Sequence, residues 1–200
     1  MTGVKSRREL YSEATRAAVL EQATALFAER GYAGTLLEDV AAAAQVTRGA
    51  VYHHFAGKQA LFEAVLDEQE SRMMEAVRAA ATSPDPWQAA MQALDAFLDR
   101  CCEPVYGRLC WQEAPTALGF QRWQEYEQKY AYGLVAGFIE NLRESGGIET
   151  AATLETTVDF CFWMLGGAGL ALVNTPDTDK QRVRDEWGRL MQRALAGLRP

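Results

Sequence analysis

The chain has 200 residues, 48% of them hydrophobic, so it can bury a full core in one or two domains and is not a disordered chain. Its net charge of −7 excludes a protein that coats nucleic acid indiscriminately. The charge is uneven: residues 1–60 hold seven Lys and Arg against six Asp and Glu, a net of +1, which leaves −8 on the remainder and suits contact with an anionic partner through the head alone.

The first ten residues, with Lys5, Arg7 and Arg8, read as a mobile arm, and they lack the apolar core of an export signal. Residues 14–30 place Val19, Ala23, Leu26 and Phe27 on one helical stripe, and Gly31 is a natural stop. Thr35 followed by Glu38 predicts a capping box that opens a second helix. Val40, Ala41 and Ala44 give that helix a narrow apolar face, which lets another helix cross it closely. Thr47 is expected to cap a third helix in which Val51 and Phe55 face inward. Arg48, Gly49, Ala50, Tyr52, His53 and His54 are then left on or near the outer surface.

Two short helices joined by a turn, the second presenting Arg, Tyr and His, form the arrangement that lays its second helix in a DNA major groove. Arg48 can pair with guanine or hold a phosphate, while Gly49 and Ala50 let the backbone approach the bases. Lys58, beside the N-terminus of the fourth helix, suits a phosphate, and Thr35 and Thr47 can donate to phosphate while capping. The stretch GYAGTLLEDVAAAAQVTRGAVYHHFAGKQALF, from Gly31 to Phe62, resembles the N-terminal pattern of the TetR family of transcriptional regulators. The Tyr-His-His-Phe tract, the Lys three residues after it and the Leu-Phe pair of the next helix make the resemblance specific. It implies contacts from Tyr52, His53 and His54 to phosphates or base edges, with the basic arm reaching a minor groove. Where the family commonly has glycine in the turn, this chain has Gln45, a position expected to take positive φ at a cost of roughly 1 kcal/mol.

The fourth helix is expected over residues 58–81, and Pro84-Asp85-Pro86 stops it and starts the fifth, with Asp85 as N-cap and Pro86 in the first helical position. Trp87, Met91, Leu94, Phe97 and Cys101 stripe the fifth helix, and residues 106–113 form a shorter sixth before Ala114-Pro115. A seventh runs from 116 or 118 to 144, with Trp123, Tyr126, Tyr130, Leu134 and Phe138 on one face, until Gly146-Gly147 breaks it. An eighth spans 151–174, and Pro176 with Asp177 or Thr178 starts the last. The longest uncharged apolar run, residues 160–173, is shorter than the roughly 20 residues a membrane span needs, so no membrane partner is expected. The fold class is all-α, about nine helices: a helix-turn-helix DNA-binding domain over 1–57, then a helical effector-binding and dimerisation domain over 58–200.

A ligand pocket is expected among Met73, Val77, Phe97, Cys101, Trp111, Leu118, Trp123, Tyr126, Tyr130, Phe160 and Trp163, because the polar tips of Trp and Tyr need partners when buried. The tract EAPTALGFQRW, Glu113 to Trp123, resembles a subgroup of TetR regulators, which implies a ligand domain without naming the ligand. Gly166, Gly167 and Gly169 interrupt a very apolar helix, and interior glycines point to close approach of another helix. By the resemblance, the last two helices pair with their copies as a four-helix dimer interface through Trp163, Gly166, Gly167, Leu170, Trp187 and Leu190. Cys101, Cys102, Cys110 and Cys161 contain no C-x-x-C pair and read as inert thiols of a reduced, cytoplasmic protein, with no metal and no cofactor. No nucleophile, base and orienting group come together, so an enzyme is not expected. The expected function is a homodimeric regulator, a repressor released from a palindromic operator on double-stranded DNA by a small effector. The alternative is a protein of the same fold that binds a protein partner instead of DNA.

Overall fold

The computed structural model describes residues 6–200, and every regular element among them is helical. The first elements are α1 (Arg7–Gly34), α2 (Leu37–Ala43), α3 (Arg48–His54), α4 (Lys58–Ala80) and α5 (Pro86–Cys101). Three segments run on without a break as α6: Pro104–Tyr106, a π-helical stretch Gly107–Glu113, and Ala114–Leu118. α7 is built the same way from Phe120–Glu127, the π-helical Gln128–Tyr132 and Gly133–Glu144. α8 (Leu154–Val173) and α9 (Asp177–Ala196) complete nine helices among the described residues. The chain divides inside α4, between Glu68 and Gln69, into two compact units.

In the first unit, α1 begins earlier than its apolar stripe indicates. Ser6 Oγ accepts from the Glu9 amide at 3.3 Å and the Ser6 amide donates to Glu9 Oε2 at 2.7 Å. This capping box satisfies orphan donors and draws Arg7 and Arg8, expected in an arm, into the first turn. Lys5 lies outside the described residues. Gly31, at φ 74° and ψ 170°, breaks the helix where the sequence places its stop. α1, α2 and α3 pack pairwise, and Val19, Ala23, Phe27, Val40, Val51, Leu61, Phe62 and Val65 are wholly buried. Phe27 meets Phe62 edge to face, ring centres 5.0 Å apart.

In the second unit, Asp85 Oδ1 accepts from the Gln88 amide at 2.8 Å, with Pro86 inside the cap as expected. α6 departs from the expected short segment, since Ala114-Pro115 does not end it. Pro115 has no N–H to donate and its ring crowds the turn before it; the π-helical stretch opens that turn, so the chain continues to Leu118. Gly119, at φ 81°, makes the break instead, and α7 starts at Phe120. α8 starts at Leu154, three residues later than expected, because Thr153 Oγ1 accepts from the Thr156 amide at 3.2 Å. α8 packs on α5, α6, α7 and α9. Arg184 on α9 ties that helix to α5 through Asp99 at 2.7 Å and Asp95 at 3.0 Å.

Candidate nucleic-acid face and ligand cavity

The turn between α2 and α3 is closed by the Val46 amide donating to Ala41 O at 3.0 Å, and Gln45 takes φ 55° to allow it. Thr47 Oγ1 then accepts from the Ala50 amide at 3.1 Å, the expected cap of α3. Val51 and Phe55 are buried, which leaves Thr47, Arg48, Gly49, Tyr52 and His53 exposed and Ala50 and His54 half-buried. The Arg48 guanidinium pairs with Glu38 Oε1 at 2.8 Å, lies 5.4 Å from the Tyr52 ring centre, and donates to the Tyr52 hydroxyl at 3.4 Å. That hydrogen bond, with the Glu38 charge, raises its already high pKa. An incoming anion or guanine must therefore take Arg48 away from Glu38. Partial burial lowers the pKa of His54, and the charges of His53 and Arg16 add to this, so a neutral imidazole faces the surface.

Thr35 does not join this face. It is wholly buried, and its hydroxyl donates to Gly31 O at 2.9 Å and to Leu26 O at 3.2 Å, on either side of the break in α1. The expected capping box with Glu38 is absent, and Leu36 is the N-cap of α2 without a side-chain bond. Lys58 stands at the first position of α4, half-buried, with its ammonium donating to Ala33 O at 3.2 Å and 4.5 Å from the Tyr32 ring centre.

The second unit encloses a cavity of about 110 Å³ between α4, α5, α6, α7, α8 and α9. Of the residues expected to line it, Val77, Phe97, Trp111, Trp123 and Trp163 do. Met73 and Cys101 are instead buried in the packing, with the neighbouring Met74 lining the cavity in place of Met73. Leu118 sits at the end of α6 and Phe160 is 51% exposed. Tyr126 and Tyr130 stack on each other outside the cavity, ring centres 5.8 Å apart, with the Lys129 ammonium against both. For Tyr130 the cause is winding. On an α-helix a four-residue step drifts by about 40°, and the wider π turn of Gln128–Tyr132 cancels much of that drift. Trp123, Glu127, Ala131 and Val135 therefore stay in line on the cavity wall.

This cavity has two polar features, one on the expected Trp111 and one on Glu127, which is not among the expected residues. The Trp111 indole nitrogen is buried with no hydrogen-bond partner among the described residues. Glu127 is the one carboxylate on a largely apolar wall, and desolvation pushes its carboxyl well above the usual carboxylate range. The charge of Glu70 raises it further, and a hydrogen bond from the Trp123 side chain, which also donates to Cys110 O at 3.0 Å, works the other way. Glu70 is buried behind it, its carboxylate accepting from the Tyr106 hydroxyl at 3.2 Å and 3.3 Å, and burial pushes it up to about 7. Cys101, Cys110 and Cys161 are buried, Cys102 is half-buried, and all four are free; burial raises each thiol, which suits inert packing.

α8 is apolar on more sides than its unit buries. Phe160, Trp163, Gly167 and Leu170 form an exposed strip, Trp163 at 48% while also lining the cavity, and Leu190 of α9 is 63% exposed. Trp187 is half-buried, within 3.7 Å of where a Gly167 side chain would begin. Gly166 has open space around it. Gly169 answers a different need: a Cβ there would lie 2.6 Å from the Trp111 ring, so this glycine admits the indole of α6.

Comparison with known proteins covers both units. A family model for bacterial regulatory proteins of the tetR family matches residues 19–65, and one for tetracyclin repressor-like C-terminal domains matches residues 87–198. The transposon Tn10 TetC protein of Escherichia coli is 23% identical over 138 residues, 69% of this chain and 70% of that protein. An HTH-type transcriptional repressor of Mycobacterium tuberculosis is 46% identical over 61 residues, which span 30% of this chain and only 32% of the relative. A solved TetR-family transcriptional regulator from Pectobacterium atrosepticum is 28% identical with a TM-score of 0.80, covering 97% of each chain.

Proposed function

The chain belongs to the TetR family and is a DNA-binding transcriptional regulator, not an enzyme; on that premise we propose a homodimeric repressor, released from a palindromic operator by a small, largely apolar or aromatic effector. Residues 1–57 read the operator, while residues 58–200 bind the effector and pair the subunits. The observation that carries this reading is the exposed face of α3, where Arg48, Tyr52 and His53 stand out from a helix whose other side is locked by Val51. Arg48 reads a base edge, Tyr52, His53 and His54 contact phosphates or base edges, and Gly49 and Ala50 admit the backbone. Thr47 and Lys58 hold phosphates, Lys58 doing so in exchange for its bond to Ala33.

The apolar strip of α8 and the exposed Leu190 support pairing of two copies, which brings two α3 helices about 34 Å apart, one helical turn of DNA. The cavity supports an effector site, because the unpartnered Trp111 indole suits a ligand acceptor. α4 contributes Met74 and Val77 to the wall and carries the chain on into the first unit. An effector that binds the DNA-competent and released arrangements unequally shifts the balance between them. The protein works in the cytoplasm, where its operator lies.

Selection of bound sequences from random DNA tests the reading. An enriched motif with two-fold symmetry is the expected outcome, and a protein that enriches no sequence at physiological salt is not an operator-reading regulator.

A further inference from the structure

Two carboxylates stand in the second unit, Glu70 buried and Glu127 half-buried on the cavity wall, and they are not equally compensated. Glu70 accepts from the Tyr106 hydroxyl and the Cys110 thiol, and the Arg100 guanidinium favours its charge. Arg100 itself donates to Gln69 Oε1 at 3.3 Å and pairs with Glu103. Glu127 has the Trp123 indole as donor and Glu70 as an opposing charge; among the described residues no cation offsets it. Of the two, it is Glu127 that lines the cavity. A carboxylate taken out of water without a cation is costly to ionise, and the same desolvation holds the Glu127 carboxyl above its ordinary range. The wall around it is aromatic: Trp111 and Trp123 meet edge to face at 5.7 Å between ring centres, and Phe97 packs on Trp111 at 6.5 Å. Indole faces attract cations, most strongly where water is excluded.

We propose that the effector is a lipophilic organic cation of about one aromatic ring, an amine or quaternary ammonium whose positive charge is neutralised by Glu127 and whose apolar body lies among Trp111, Trp123 and Phe97. The cavity, about 110 Å³, approaches the roughly 150 Å³ that accommodates a benzene ring, and it is not fully closed, since Trp163 on its wall is 48% exposed. The inference rests on the cavity being the effector site and adds the charge of the occupant. Binding has a proton balance: a permanently charged ligand takes the place of the Glu127 proton, which leaves to solvent. The titratable groups around the pair are Glu70 on α4, Arg100 and Cys101 on α5, Tyr106 and Cys110 on α6, and Cys161 on α8.

Phenyltrimethylammonium and tert-butylbenzene have the same shape and differ by the charge, so calorimetric titration of the full-length protein with each separates the claims. The expected result is at least tenfold tighter binding of the cation, tightening as pH rises from 6 to 8.5. In Glu127→Gln that preference and its pH dependence vanish, while tert-butylbenzene binds as before and reports an intact cavity. Equal or tighter binding of tert-butylbenzene by the natural chain overturns the cationic assignment and leaves the cavity as an effector site. Cation binding undiminished in Glu127→Gln overturns it as well. Failure of both compounds to bind removes the cavity as a ligand site of this size, and the effector reading with it.

Discussion

Replacing Glu70 by glutamine tests whether a buried acid pair governs stability in the second unit. The glutamine amide oxygen can still accept from the Tyr106 hydroxyl, so shape and one hydrogen bond are kept while the titration is removed. Glu70 titrates at about 7 in the folded protein against 4.5 for an ordinary carboxyl, so the folded state holds the proton more tightly than the unfolded chain. Below pH 4.5 both states are protonated and the shift has no effect. As pH rises from 4.5 through about 7, the unfolded chain releases its proton first, and stability falls by about 3 kcal/mol before levelling off. Glu127, relieved of its like-charged neighbour in the variant, moves down as well and flattens the curve further. Urea denaturation of both proteins between pH 4.5 and 8.5 reads the difference, which should grow with pH to roughly 2–3 kcal/mol in favour of Glu70→Gln. Parallel pH profiles would refute the reasoning, because they require Glu70 to titrate alike in the folded and unfolded chains.

Arg48→Ala should weaken operator binding about tenfold or more and relax the preference at one base position, as read by gel shift on selected sequences. Lys58→Ala should weaken all sequences alike and reduce the salt slope by about 1; an unchanged slope removes Lys58 from the phosphate contacts. Leu190→Asp should convert the dimer to monomer at micromolar concentration in sedimentation, with operator affinity falling in step. Gly169→Ala should cost about 1–3 kcal/mol in thermal denaturation, since the added methyl meets the Trp111 ring, which cannot swing away as a flexible chain end could. An alanine variant as stable as the natural chain means that the ring has room to move.

The legible parts of the fold are those decided within a few residues. Thr47 and Asp85 cap their helices because a side-chain oxygen three residues before an orphan amide needs no help from elsewhere. Gly31 and Gln45 take positive φ because the turns they occupy demand it. The same logic fails at Thr35, where the capping signature is present but tertiary burial offers the hydroxyl two carbonyls of α1. It is hidden at Ser6 and Glu9, where an identical spacing lies among charges without an apolar stripe to announce a helix. The outer face of α3 needed only the inward pair Val51 and Phe55 to orient it, which is why Arg48, Tyr52 and His53 fall where the spacing places them.

The cavity was legible in its aromatics and not in its chemistry. Trp111 and Trp123 could be read from burial preference alone, since large aromatics inside a helical unit must line whatever space it leaves. Glu127, four residues beyond Trp123, lies only about 40° round a regular helix from it and so belongs to the same face, but a carboxylate at the edge of an aromatic stripe reads as solvated. The wide turn at Gln128–Tyr132 holds the next four-residue step in register, so the wall continues from Trp123 and Glu127 to Ala131 and Tyr130 is turned outward. The place that Glu127 takes on the cavity wall makes it costly to ionise, and that cost is what a cation entering the cavity would relieve.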